Sequence, residues 1–187
     1  MTFYAAVLFT HIVSMLGLCA TLSFEALMLY RLQRSRNMAE VHVWSDPVPG
    51  LDRLVMISVV SVLASGIYLT TSMKGWGFAW IDVALVSFFA MAPLGSIFSA
   101  RMRSIQRATS NGNAINQSER GRFAPGAALR ISLNVRIAAL LGIVLLMTAK
   151  PGLGGSLIIM GLSAAMGLLA SASRGREQEP APAAERW

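Results

Sequence analysis

Five apolar runs, each about 20 residues long and nearly free of charge, constrain this 187-residue chain more than any other feature. A run of that length covers a hydrocarbon core of roughly 30 Å at about 1.5 Å rise per residue, and a soluble fold would require polar helix faces that these runs lack. The first goes from Phe3 to Tyr30 and is interrupted only by His11 and Glu25. The second, Leu54 to Met73, has no ionisable side chain except Tyr68, and the third, Ile81 to Ala100, carries only Asp82 at its edge. The fourth, Ile131 to Ala149, contains Arg136, while the fifth, Leu153 to Ser173, is rich in Gly, Ala and Ser. The reading is an all-α, polytopic transmembrane helix bundle over residues 1–173, with spans at about 5–30, 54–73, 81–100, 131–149 and 153–173. A disordered cytoplasmic tail over 174–187 follows, where Glu, Pro and Arg replace apolar residues.

The direction of the spans follows from where the basic residues fall. The chain has a formal net charge of +7, which invites a nucleic-acid reading, but no basic stripe interleaved with aromatics appears. Instead every Arg lies in segments 31–53, 101–136 and 174–187, which alternate loops place on one side, and only Lys74 and Lys150 fall on the other. Basic residues in short flanking loops are retained in the cytoplasm, so the amino terminus is expected outside and the carboxyl terminus inside. Four spans would strand Arg174, Arg176 and Arg186 outside, which favours five. A signal peptide is not expected, because the amino terminus lacks a basic start. Cys19 is the only cysteine, so neither an intrachain disulfide nor a cysteine metal site can form.

Between the spans, Asp46-Pro47-Val48-Pro49-Gly50 is expected to prevent a continuous helix, and Ser110-Asn111-Gly112-Asn113 to end the helical extension that carries Arg101, Arg103 and Arg107. Lys150-Pro151-Gly152 is a sharp turn, with Gly supplying any positive φ. Trp44 is expected at one membrane interface, and Trp76, Phe78 and Trp80 at the other, either as headgroup anchors or as the lip of a ligand site. Ser58, Ser61 and Ser65 share one face of the second span, and Gly161 with Ala165 and Ser163 with Gly167 form small-residue pairs in the fifth; both sets suit close helix packing, or in the second span a polar path. Pro93 is expected to kink the third span.

Ionisable groups within spans are costly and are the default candidates for function. There are three: His11, Glu25 and Arg136. His11 and Glu25 lie 14 residues apart, hence about 21 Å along one helix face, too far to be partners. Arg136 lies 14 residues before Lys150, which brings it to the level available to Glu25 near Arg31. Two readings follow: an intramembrane ion pair between the first and fourth spans, or an Arg136 that snorkels to the headgroups. His11 reads as a polar group bonded to a neighbouring Ser or carbonyl, or as a metal or haem ligand. No Ser/His/Asp set, phosphate loop or carboxylate pair is present, since Glu25 and Asp82 belong to opposite faces, so no catalytic residue and no metal site is expected.

The first span, His11-Ile12-Val13 with Gly17 and the ending Leu29-Tyr30-Arg31-Leu32, together with Gly75-Trp76 to Trp80-Ile81-Asp82-Val83-Ala84-Leu85, resembles an uncharacterised family of predicted bacterial integral membrane proteins. The likeness covers roughly the first 110 residues. More distantly, the chain is similar to small membrane haem and copper families, such as the membrane-bound protoporphyrinogen oxidases and the copper-resistance D proteins, whose first span also opens with a histidine. That resemblance implies haem b at His11 and nothing more, because the second histidine and the lysine that those oxidases show after the tryptophan of the third span are not found here, where Asp82 and Ala84 stand instead. Two functional expectations result. One is a non-enzymatic transporter-like bundle or accessory subunit that needs no cofactor, with the lipid bilayer as its partner and a homo-oligomer or a membrane protein as a further one. The other is a haem-dependent membrane oxidoreductase using His11.

Overall fold

The computed structural model describes residues 3–34, 43–44, 47–110 and 127–176. They form five helices, α1 (Phe3–Arg34), α2 (Val48–Ser72), α3 (Ala79–Ser110), α4 (Ala127–Ala149) and α5 (Leu153–Arg176), all long and apolar enough to cross a membrane. Among the described residues there is no strand. The helices alternate in direction, so one end of the bundle carries the turns with Lys74 and Lys150 and the other carries Arg31, Arg34, Arg53, Arg101, Arg103 and Arg130. These are called the lysine end and the arginine end below.

The packing inverts the pattern of a water-soluble bundle. Phe9, Ile12, Val13 and Leu16 on α1, Met56 and Ile57 on α2, and Leu157, Ile158, Leu162 and Met166 on α5 are exposed, whereas His11, Ser14, Thr21, Glu25, Ser58, Ser65, Ser132, Arg136 and Ser156 are buried. Apolar chains facing outward cost nothing in hydrocarbon, and the buried polar groups bond either across helices, as Arg136 does to Glu25, or back to a carbonyl of their own helix, as Thr21 does to Leu18. α1 packs along α2, and α4 packs along both α3 and α5. These two groups meet chiefly where α1 touches α4; α2 and α3 make few contacts with each other.

Several element ends differ from the sequence expectation. α2 begins within Pro47-Val48-Pro49 instead of after it, because prolines are tolerated in a first helical turn, whose N–H groups have no acceptor anyway. The turn after α4 takes its positive φ at Lys150 (47°) and not at Gly152, so the lysine itself closes the helix, with its N–H on the Leu146 carbonyl. α2 ends the same way: Lys74 has φ 51° and donates to Thr71 O, while Gly75 donates to Thr70 O at 2.8 Å, the paired bonds of a Schellman motif. α3 runs through Pro93 as one helix, and α4 braces the turn beyond it by donating the Ser132 hydroxyl to Leu94 O at 2.7 Å. α3 continues to Ser110, as the arginines after Ala100 suggested. Residues 174–176 of the expected tail belong to α5; 177–187, the centre of the long loop at 111–126, and His42 lie outside the described residues.

Small residues set two helix contacts. An added Cβ at Gly167 would lie 2.8 Å from Val135 Cα and 3.0 Å from Asn134 O, so α5 rests directly on the α4 backbone there. Ser163 sits beside Gly142 on the same seam. Gly161 has open space around it and Ala165 is exposed, so this pair faces outward and is not part of the packing surface that its spacing suggested.

Candidate functional site

The three ionisable groups of the spans occupy two places. Toward the arginine end, Arg136 of α4 crosses to Glu25 of α1 and donates two hydrogen bonds, Nη1 to Oε2 at 2.6 Å and Nη2 to Oε1 at 3.3 Å. Glu25 is 3% and Arg136 7% exposed, so the guanidinium does not extend to the headgroups. The fork geometry of the guanidinium matches both carboxylate oxygens, which lowers the cost of holding two charges in a dry environment. Gly95 of α3 lies alongside, where an added Cβ would stand 3.4 Å from Nη2 and 3.5 Å from Cζ. Three helices thus converge on one charged group.

His11 is one of the polar residues along the seam between α1 and α2. Its Nδ1 lies 2.9 Å from Ser65 Oγ, and Ser14 donates to Ser61 Oγ at 2.7 Å. Ser65 in turn donates to the Ser61 carbonyl of its own helix, so the hydroxyl ties the imidazole to the α2 backbone. Ser58 lies opposite Gly17, where an added Cβ would come 2.7 Å from its Oγ. The serine face of α2 therefore both packs against α1 and holds its polar groups.

Because α2 and α3 scarcely touch, the space between the two helix groups is not filled, and two cavities open along it. The one at the lysine end, about 300 Å³, includes His11, Met15, Gly66, Trp76, Trp80 and Lys150 in its wall. The one at the arginine end, about 480 Å³, includes Glu25, Arg136, Asp52, Ser99 and Arg103. Asp52 accepts from Ser99 Oγ at 2.7 Å and from Arg103 Nη1 at 3.3 Å, which closes a second ion pair at the mouth of this cavity; Arg103 is half-exposed. This cluster was not anticipated, since Asp52 falls in a segment assigned to a loop. The signal that could have found it is the i,i+4 spacing of Ser99 and Arg103 on the extended third helix. Trp76 and Trp80 belong to a cavity wall as well as to the lysine-end turn, and Trp76 donates to Thr71 Oγ1 at 3.3 Å. At the other end Trp44 carries the Arg31 guanidinium 5.3 Å above its ring centre. Among the described residues, no three His, Cys, Asp or Glu side chains gather as a metal ligand set.

Fold and site together define a multi-pass α-helical membrane protein with a charged centre buried between its helices. Compared with protein-family models, curated proteins and solved structures, the chain matches none.

Proposed function

We propose that this protein is a non-enzymatic, carrier-like bundle of the bacterial inner membrane, and that the cavity holding Glu25 and Arg136 is its ligand chamber. The observation that carries the proposal is the buried, bidentate pair in the wall of an open space of about 480 Å³. A pair serving stability alone is better enclosed by packed side chains, since an apolar replacement of similar volume is often as stable. Charges retained beside a cavity are available to a polar ligand that can exchange one partner for itself. The arginine distribution supports an amino terminus outside, which turns this chamber toward the cytoplasm.

Two measurements test the proposal. Native mass spectrometry of the detergent-solubilised protein should show a small molecule bound to the natural chain and absent from Arg136→Gln; identical spectra from both would count against the chamber. For orientation, Lys74 should react with an impermeant amine reagent in intact cells, and a reporter fused after Trp187 should be active only in the cytoplasm. The haem reading rests on His11, which shares its cavity with Met15, Met73 and Met147. A Soret band that survives purification and disappears in His11→Ala would favour haem over the carrier.

A further inference from the structure

The two cavities share two wall residues. Leu63 of α2 and Phe88 of α3 belong to the walls of both, and therefore stand where one space ends and the next begins. Beyond them the first space reaches Lys150 and the turn at Trp76, and the second reaches Asp52 and Arg103, so the pair of spaces extends from one end of the bundle to the other. Both lie along the seam where α2 and α3 make few contacts. Two side chains from facing helices therefore border both open spaces.

The walls also restrict what could occupy them. Apart from ionisable groups, a few Ser and Thr hydroxyls and two glycines, the linings are aliphatic, aromatic and methionine side chains, among them Val62, Ile81, Phe88 and Ile143 at the lysine end. No Asp or Glu lines the lysine-end cavity, whose ionisable groups other than a tyrosine are His11 and Lys150. At the arginine end both carboxylates already face an arginine. A cation would therefore meet no free carboxylate in either wall. A carboxylate would meet the Lys150 ammonium at the lysine end, and at the arginine end it would reach Arg136 only by exchanging with Glu25, the exchange on which the chamber reading rests.

We propose that the two cavities are halves of one route across the bilayer, closed at its middle by Leu63 and Phe88, and that the route takes a small carboxylic acid with an apolar body. The route rests on the chamber reading above, but its first test needs no ligand. With Cys19→Ala as background, cysteines introduced singly as Val59→Cys, in the arginine-end wall, and Thr70→Cys, in the lysine-end wall, are exposed to an impermeant thiol reagent on one face of oriented vesicles. Thr70→Cys should label only from the lysine face and Val59→Cys only from the arginine face. Adding Phe88→Ala, or Leu63→Ala where the first does not elute as a monodisperse species, should let the lysine-face reagent reach Val59→Cys. Labelling of Val59→Cys from the lysine face with both residues intact, or no change when both are alanine, would overturn the closure.

The second test reads the cargo from the fluorescence of Trp76 and Trp80. Octanoate should give a saturable change that octylammonium and octanol do not, and Lys150→Gln should weaken it about fivefold, the most that a partly exposed charge contact supplies. Equal responses to all three probes would overturn the preference for an acid while leaving the closure standing. If the closure holds but Arg136→Gln retains whatever copurifies, the chamber reading alone fails.

Discussion

The charges of Glu25 and Arg136 are unequal in how they tolerate loss of the partner. A carboxylate left alone in an apolar setting can take up a proton and become neutral, whereas a guanidinium keeps its charge at any accessible pH. Glu25→Gln should therefore cost more than Arg136→Gln, with the former near the roughly 3–5 kcal/mol typical of a broken buried pair. Reversible unfolding in mixed micelles by added SDS measures both; equal costs would mean that Arg136 finds another acceptor. The double swap Glu25→Arg with Arg136→Glu should recover part of what each single reversal loses. Lys74 presents a smaller effect of opposite sign. It holds a left-handed φ of 51° that a side chain adopts at a cost of about 1–2 kcal/mol, partly offset in a glycine variant by the greater freedom of the unfolded chain. Lys74→Gly is expected to raise stability by about 0.5 kcal/mol, seen as a slightly higher SDS midpoint in the same unfolding experiment.

At the level of elements, the decisive distinction is which face of each helix meets a neighbour. Gly161 and Gly167 are both small residues of α5, yet only Gly167 lies against backbone, that of Val135 and Asn134. Backbone cannot rotate aside as a side chain can, so Gly167→Ala should push α5 from α4 and cost about 1–3 kcal/mol, while Gly161→Ala should change stability by no more than a few tenths. A thermal melt of each variant in the same detergent separates them. Gly66 is an intermediate case. An alanine there would place its methyl 3.3 Å from His11 Cε1, which can yield only by loosening the bond to Ser65.

For the molecule as a whole, the seam between α2 and α3 is the weak boundary, and its described polar tie is the cluster of Asp52, Ser99 and Arg103. Arg103 is 51% exposed, so water and salt screen the pair and its contribution to stability is about 1 kcal/mol or less. Asp52→Asn should thus leave global unfolding almost unchanged. Its effect belongs instead to the opening of the arginine-end cavity: Val59→Cys should label faster from that face, and added salt should bring the natural chain toward the same rate. A large loss of stability with no change in labelling would assign the cluster a purely structural part.

Much of this architecture was legible in the sequence, and the divide is physical. The length of each apolar run fixed five spans because the thickness of the hydrocarbon core is a constant that a chain can only match. Counting residues from Lys150 and Arg31 likewise brought Glu25 and Arg136 to one level, since helix rise is uniform. Level is not contact, however. Whether Arg136 turned inward to Glu25 or outward to the headgroups depended on the rotation of α4, which is set by Gly167, Gly142 and Ser132 meeting particular neighbours. The same holds for the outward-facing Gly161, for Asp52 reaching Ser99 and Arg103 across two helices, and for the unfilled seam that creates the cavities. One-dimensional spacing records depth along a helix, but the azimuth of each helix and the gaps between helices emerge only when all five pack together, because every side chain on a contact face takes part in choosing them.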